Sequence, residues 1–512
     1  MIIYVSSCAV VCLMILWYAV KMLKKVWWNP IRIQSMMRSQ GIKGPSYKFF
    51  HGNSKQIMSM GMNAKKNPIQ LSHHQVLPAV LPHIYAWNKL YGTNFLSWHG
   101  TQAYLTVTEP ELIKEILNDR DGNFPKQEAD PYVKKLLGDG IITTCGDKWF
   151  KLRKLSNHAF HSDSLKGMVP AMIASVEMMF ERWRKHQGKE IDVFQEFKVL
   201  TSEAISRTAF GSSYLEGQHI FHMLTRLAVI ISRNRYNIRL PIIQKLVKTE
   251  DDIESDRMEQ EIRKSVMNMI KKREVKGQNS DNFGKDFLGL LVKAHHDTDH
   301  SKKISVDDLI DECKSFYVAG QETTASSLTW TAFLLAIHTD WQDKAREEVL
   351  QLFGSNINPS FESLTKLKIM NMIINEALRL YPPSVVLPGR NVKREVRLGN
   401  LIVPANVKME IPILAFHHDP KIWGEDVHVF KPERFAEGIA KATNNNVAAY
   451  LPFGLGARSC VGSNFAITET KIVLSMILQR YRFVLSPTYV HSPFHLLTMC
   501  PQHGLQILLH PL

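Results

Sequence analysis

The chain opens with twenty residues, MIIYVSSCAVVCLMILWYAV, that carry no charge, and Lys21, Lys24 and Lys25 follow closely. About 20 apolar residues are what one helix needs to cross a bilayer. Met1 to Val20 are therefore expected to form a single membrane-spanning anchor. A cleaved signal would set its positive charge before a shorter apolar core, with small residues at the cut; here the charge comes after. By the positive-inside rule the lysines hold the following chain in the cytosol, with Trp17, Tyr18, Trp27 and Trp28 at the interface. No Asn-x-Ser/Thr acceptor lacking a central proline occurs, in agreement with a cytosolic body. A buried core helix is the alternative reading of the run.

Residues 21–45 form a basic linker ending at the hinge Gly41-Ile-Lys-Gly-Pro45, and 46–512 read as one cytosolic catalytic body. With 45% hydrophobic and 22% charged residues, disordered tails, collagens and polytopic transporters are excluded. Of six cysteines, Cys8 and Cys12 lie in the apolar run, while Cys145, Cys313, Cys460 and Cys500 are scattered without paired metal-ligand spacing. That usage fits a reducing compartment. The net charge of +15 is spread along the chain with no basic tract interleaved with aromatics. A membrane surface or an acidic protein partner is expected from it, and nucleic acid is not.

Apolar residues at helical spacing predict helices over 164–186, 198–232, 251–273, 306–338, 341–353, 362–380 and 463–480. Strand-type runs fall near 94–108, 383–413 and 482–511, and Glu274 to Lys285 and His295 to Lys303 read as surface loops. The fold is expected to be mainly α with a smaller β portion.

The strongest local signal is Phe453-Gly-Leu-Gly-Ala-Arg-Ser-Cys460-Val-Gly462, followed by an apolar helix bearing Ala466 and Glu469. A cysteine just before a helix N-terminus, among glycine N–H groups, is suited to be a thiolate metal ligand. Gly454 and Gly456 let the loop pass close to a flat object, and Arg458 offers a fork to a carboxylate. A dinucleotide fingerprint fails, because Ser459 stands where its third glycine is required. A buried structural cysteine is the bland alternative.

Ala319-Gly-Gln-Glu-Thr323-Thr324 lies in the middle of the long helix, where glycine costs about 1 kcal/mol against alanine. Ala319 and Gly320 would let a ligand lie against the helix, and Glu322 beside Thr323 could relay a proton to it. A surface acid with threonines bonded back to carbonyls is the alternative. Glu376 and Arg379 share a helical face at i, i+3, which alone is a common solvated pair. Lys431-Pro-Glu-Arg434-Phe435 supplies a second arginine for a buried cluster, and Trp149 and Arg153 stand one turn apart.

Taken in order and spacing, these five motifs resemble the cytochrome P450 family of haem-thiolate monooxygenases, from the anchor to the C-terminus. The phrase SMMRSQGIKGPSY looks most like the plant endoplasmic-reticulum clan that contains secologanin synthase and several hormone-modifying hydroxylases. The resemblance implies haem held between the long oxygen-binding helix and the helix following the cysteine loop, with Cys460 as the axial ligand of its iron. It implies Phe453 beside that sulfur, and Arg458, Arg153, Trp149 and Arg390 on the propionates. Glu322 and Thr323 would deliver protons during oxygen activation, in the groove opened by Ala319 and Gly320. Glu376, Arg379 and Arg434 would form a structural triad. Ala457, where proline or glycine is common, and Gly389 before Arg390 depart from the family pattern without removing a ligand.

The implied reaction is RH + O2 + 2 e⁻ + 2 H⁺ → ROH + H2O on an apolar small molecule: a terpenoid, a hormone-like lipid or a xenobiotic. Its electrons come from NADPH through a membrane-bound NADPH-cytochrome P450 reductase, since this chain has no nucleotide-binding motif. Lys148, Lys151 and Lys154 could form part of the docking face, or a plain solvated one. Substrate lining is expected from 124–141, Phe316, Ala319, Val385 to Leu387 and Tyr489 to Phe494. Apolar residues of 220–247 with Arg235, Arg239 and Lys245 could dip into lipid head groups. A haem-thiolate isomerase or dehydratase and a silent membrane haem protein are the alternative functions.

Overall fold

The computed structural model describes residues 2–71, 73–184, 189–238, 247–277, 283–355 and 357–512. Its axis is the helix Val306–Ile337, started by a capping box between Ser305 and Asp308 and buried along nearly its whole length. A helix apolar on every side must be wrapped by others. Val193–Phe210, Pro131–Leu137, Lys368–Leu380 and Ser463–Arg480 pack around it. The fold is mainly helical with a smaller sheet portion, as expected.

A four-stranded sheet runs in the order Phe95–His99, Gln102–Thr106, Lys408–Glu410, Arg390–Asn391. Its first pair is an antiparallel hairpin with Phe95 opposite Thr106, and Gln102–Thr106 runs parallel to Lys408–Glu410. The last pair sets Arg390 opposite Met409. This register fixes where the Arg390 side chain leaves the sheet. A smaller apolar core under the sheet, with Trp98, Leu105, Met409 and Phe416, stands apart from the large helical core.

The helix expected over 198–232 is two helices, Val193–Phe210 and Tyr214–Asn234. Between them Gly211 takes φ 55°, and a Cβ there would lie 2.7 Å from Arg273 Nη2 and from Asp286 Oδ2. The apolar spacing runs on, but the backbone turns where only glycine fits. Helices absent from the sequence reading include Pro82–Tyr91, Pro110–Leu117 and Pro131–Leu137, each opened by a first-turn proline. They are too short for periodicity to show. Two expected loops are partly helical: Glu250–Gly277 runs past Glu274, and Phe287–His295 includes His295.

A helix covers Ile2–Leu23. Among the described residues, however, no helix is long and apolar enough to cross a membrane. The side chains of residues 1–9, nearly half of the expected anchor, lie outside the described part. Arg239 and Lys245 of the expected lipid-facing stretch also lie outside it. Arg235 is half-buried and turned inward, donating to His495 Nδ1 at 2.8 Å and to the Leu496 carbonyl at 2.7 Å.

Candidate active site

The cysteine loop is built by two glycines and one backbone bond. Gly454 and Gly456 take φ 72° and 73°, and a Cβ on Gly456 would meet the Leu117 carbonyl oxygen at 2.6 Å. The Cys460 N–H donates to the Phe453 carbonyl at 2.8 Å, closing the loop just before the helix Ser463–Arg480. Cys460 is ringed by protein, yet its side chain is accessible because it opens onto a cavity of about 290 Å³. Burial pushes its thiol above the ordinary range, against the lowering effects of the Gly462 N–H and the Arg153 guanidinium. A metal ion bound at the sulfur would favour the thiolate, since binding releases the proton.

Three guanidiniums and an ammonium converge on the same cavity: Arg153, Arg390, Arg458 and Lys126. Arg153 donates to the Ser459 carbonyl at 2.6 Å, Arg458 to that of Thr144 at 2.8 Å and Arg390 to that of Pro388 at 2.9 Å. Arg458 also lies over the Trp149 ring, 4.1 Å from its centre. A guanidinium carries five N–H donors, so each retains donors for a ligand. Burial, then Arg458 and Arg390, push Lys126 down to about 7. Among the described residues no carboxylate is paired with any of the four.

Three guanidiniums without anions, Arg390 buried and Arg153 and Arg458 half-buried, are costly unless a ligand brings negative charge. Most of the remaining wall is apolar, with Ile141, Ile205, Phe316, Leu387, Phe453 and Val461, interrupted by hydroxyls such as Ser315 and Ser327. A flat, apolar group with two carboxylates and a metal that takes a thiolate fits this donor set, and haem is such a group. Sequence reasoning missed Lys126, although it lies in the 124–141 segment expected to line a pocket. An isolated β-bridge sets it opposite Arg390.

On the opposite wall, Ala319, Gly320 and Thr323 face the cavity from the central helix. The Thr323 hydroxyl donates to the Ala319 carbonyl at 2.6 Å. Gly320 matters for packing as well, because a Cβ there would lie 2.7 Å from Ile205 Cδ1; its bare backbone sets how closely Val193–Phe210 approaches. Glu322 is not on the cavity wall. About 100° around the helix from Thr323, it is buried against Val193–Phe210 and paired with Lys198 at 3.1 Å. Neighbours in sequence thus face different surroundings, and Lys198 carried no signal in the sequence.

Glu376 and Arg379 are wholly buried and joined by two bonds of 2.8 Å, Nε to Oε2 and Nη2 to Oε1. Arg434 approaches Glu376 only to 3.5 Å, its stronger partners being the Asp426 carboxylate at 2.5 Å and the Trp423 carbonyl at 2.9 Å. Arg379 also donates to the His417 carbonyl at 3.0 Å, and His417 Nε2 accepts the Leu451 N–H at 3.0 Å. Burial, then Arg379, lower His417 to about 3, which keeps that nitrogen an acceptor. The triad is thereby connected to the strand of chain that enters the cysteine loop at Pro452. His417 was not found from the sequence.

Of the other expected lining, Phe316, Ala319 and Leu387 reach the cavity. Val385 is buried elsewhere, and Tyr489 and His491 pack on Phe333. Lys148 is held by Asp139 at 2.8 Å and Asp308 at 2.7 Å, so the basic face on Gly146–Ala159 narrows to Lys151 and Lys154 beside the exposed Phe150.

A family profile for cytochrome P450 matches residues 67–509. The chain is 55% identical over 504 residues to cytochrome P450 CYP749A22 of Panax ginseng, covering 98% of this chain and 96% of that one. It is 43% identical over 503 residues to the 11-oxo-beta-amyrin 30-oxidase of Glycyrrhiza uralensis, covering 96% and 95%. The retinoic acid-bound cyanobacterial CYP120A1 shares the fold, with a TM-score of 0.76 over 92% of this chain and 99% of that one at 22% identity. With a profile over most of its length and plant relatives aligned nearly end to end, the chain belongs to the cytochrome P450 family, as a plant haem-thiolate monooxygenase supplied with NADPH electrons by a separate reductase.

Proposed function

We propose that this enzyme inserts one oxygen atom from O2 into a C–H bond of a terpenoid-class molecule bound between the central helix and the cysteine loop. The observation that carries this reading is a single cavity that gathers the Cys460 thiol and four basic side chains within a largely apolar lining, broken by hydroxyls such as Ser315, Thr323 and Ser327. The relative named as an oxidase of 11-oxo-beta-amyrin supports the substrate class. Cys460 would bind the haem iron through its sulfur, with Phe453 beside it. Arg153, Arg390, Arg458, Trp149 and Lys126 would hold its carboxylates. When bound, haem supplies the reductive activation of dioxygen and the oxygen transfer.

The chain's own residues position the substrate, exclude water and move protons. The Thr323 hydroxyl on the cavity wall would hand protons on, and Ala319 and Gly320 give the helix a shallow face there. Glu322 is the acid behind it, held off the cavity wall by its pairing with Lys198 at 3.1 Å, and it would pass a proton toward Thr323 by turning away from that partner. Thr323→Ala is expected to keep its haem spectrum while more hydrogen peroxide is released per NADPH oxidised. Unchanged coupling in that variant would place the proton path elsewhere.

The reading as a whole is tested by incubating membranes carrying the protein with reductase, NADPH, a plant extract and isotopically labelled dioxygen. Products that gain one labelled oxygen are expected. Products without added oxygen would favour an isomerase or dehydratase, and no product across triterpenoid-rich extracts would favour a silent haem protein.

The anchor belongs to the same proposal: Met1–Val20 in the endoplasmic reticulum membrane, 21–45 as linker and hinge, and 46–512 in the cytosol. Support comes from the uncharged run, from the exposed Leu13, Ile15, Leu16 and Trp17, and from Trp27, Trp28 and Phe49 at the base of the helix. Alkaline carbonate washing should leave the full chain in the membrane pellet and release a variant lacking residues 1–20. Release of both would overturn the anchor.

A further inference from the structure

Far from the cavity, the ends of two helices bring together Glu274 of Glu250–Gly277 and His295 and His296 at and just beyond the end of Phe287–His295. One donor atom from each lies within 4.8 Å of the other two. We infer that these three side chains form a binding site for a zinc-class divalent cation, separate from the haem.

The orientation of each ligand supports this. His295 Nδ1 lies 3.0 Å from the Ile304 carbonyl, which can only accept, so Nδ1 carries the proton and Nε2 keeps its lone pair for a metal. A ring N–H fixed by a backbone carbonyl is the usual outer support of a metal-bound histidine. His296 is held by a stacked Phe283 ring, with centroids 5.5 Å apart and planes 12° apart, and its Nε2 stands 2.9 Å from Glu274 Oε1. A divalent ion would bind His296 Nε2 and the Glu274 carboxylate together.

Two imidazoles and one carboxylate suit Zn2+, which takes nitrogen and oxygen ligands near tetrahedral geometry and would keep its fourth position for water. Mg2+ and Ca2+ prefer all-oxygen sets and are poor candidates. The chain beyond runs Asp297-Thr-Asp299-His300. The turn it forms touches the helix Gly146–Ala159, where Lys151 Nζ donates to the His300 carbonyl at 3.4 Å. A bound ion therefore ties the two helix ends together and braces the turn beside the helix that carries Trp149 and Arg153.

The test uses the full-length haem protein without a histidine tag, titrated with zinc chloride and followed by calorimetry and by thermal unfolding. One saturable equivalent is expected, with a zinc-dependent rise in melting temperature that magnesium does not produce. Glu274→Gln and His295→Ala should each weaken binding by about tenfold or more and abolish the thermal shift. Both variants should keep the parent carbon monoxide spectrum, which shows that the body is folded. Absence of a saturable equivalent, or binding unchanged in both variants, would overturn the site.

Discussion

Cys460→Ser is expected to abolish the thiolate-type absorption band of the reduced, carbon monoxide-treated protein and, with it, all NADPH-dependent product. The loop that presents residue 460 does not depend on the sulfur: its closure is the backbone bond to Phe453, its turns are set by Gly454 and Gly456, and Ser459 is gripped through its carbonyl by Arg153. Serine is close to cysteine in size, so the cavity and its cations survive the change. What is lost is the donor. A hydroxyl does not give up its proton to iron as readily as a thiol does. Haem retained with an altered spectrum is the expected picture. A band identical to the parent's would remove Cys460 from the axial position and leave the mechanism without its ligand.

That residue was legible in the sequence because everything that makes it a candidate is local: two glycines, an arginine and a helix start within ten residues. The same holds for Ala319 to Thr323, where small residues and hydroxyls interrupt an otherwise apolar helix. The partners that set the chemistry of these groups were not legible. Lys198 meets Glu322 across more than a hundred residues of chain, and Lys126 reaches the arginines only because a short bridge sets it opposite Arg390. His417 joins the triad to the cysteine loop through its own ring and carbonyl, and nothing in its neighbourhood in the sequence marks it. The single helix expected over 198–232 failed for a related reason. Periodicity reports burial, and burial continues through Gly211 although the backbone turns there.

The buried pair Glu376 and Arg379 leads to the second large effect. Arg379→Met is expected to destabilise the protein by about 3–5 kcal/mol, the cost of leaving one buried charge without its partner. The remaining contacts cannot compensate: Glu376 would keep only the Lys431 N–H at 3.1 Å and an arginine at 3.5 Å whose better bonds lie with Asp426. Adding Glu376→Gln to Arg379→Met should recover part of that loss, because it removes the stranded charge. Recovery should be incomplete, since Arg379 also holds the His417 carbonyl and lies 5.2 Å from the centre of the Trp423 ring. Through His417 the damage reaches Leu451 and the entry to the cysteine loop, so the haem-bound fraction should fall in step with stability. The measurement is a double-mutant cycle on thermal or denaturant unfolding, with haem content read in parallel. Coupling below about 0.5 kcal/mol, the level at which separate sites add, would mean that the two side chains act independently and that the short bonds between them carry little of the fold's stability.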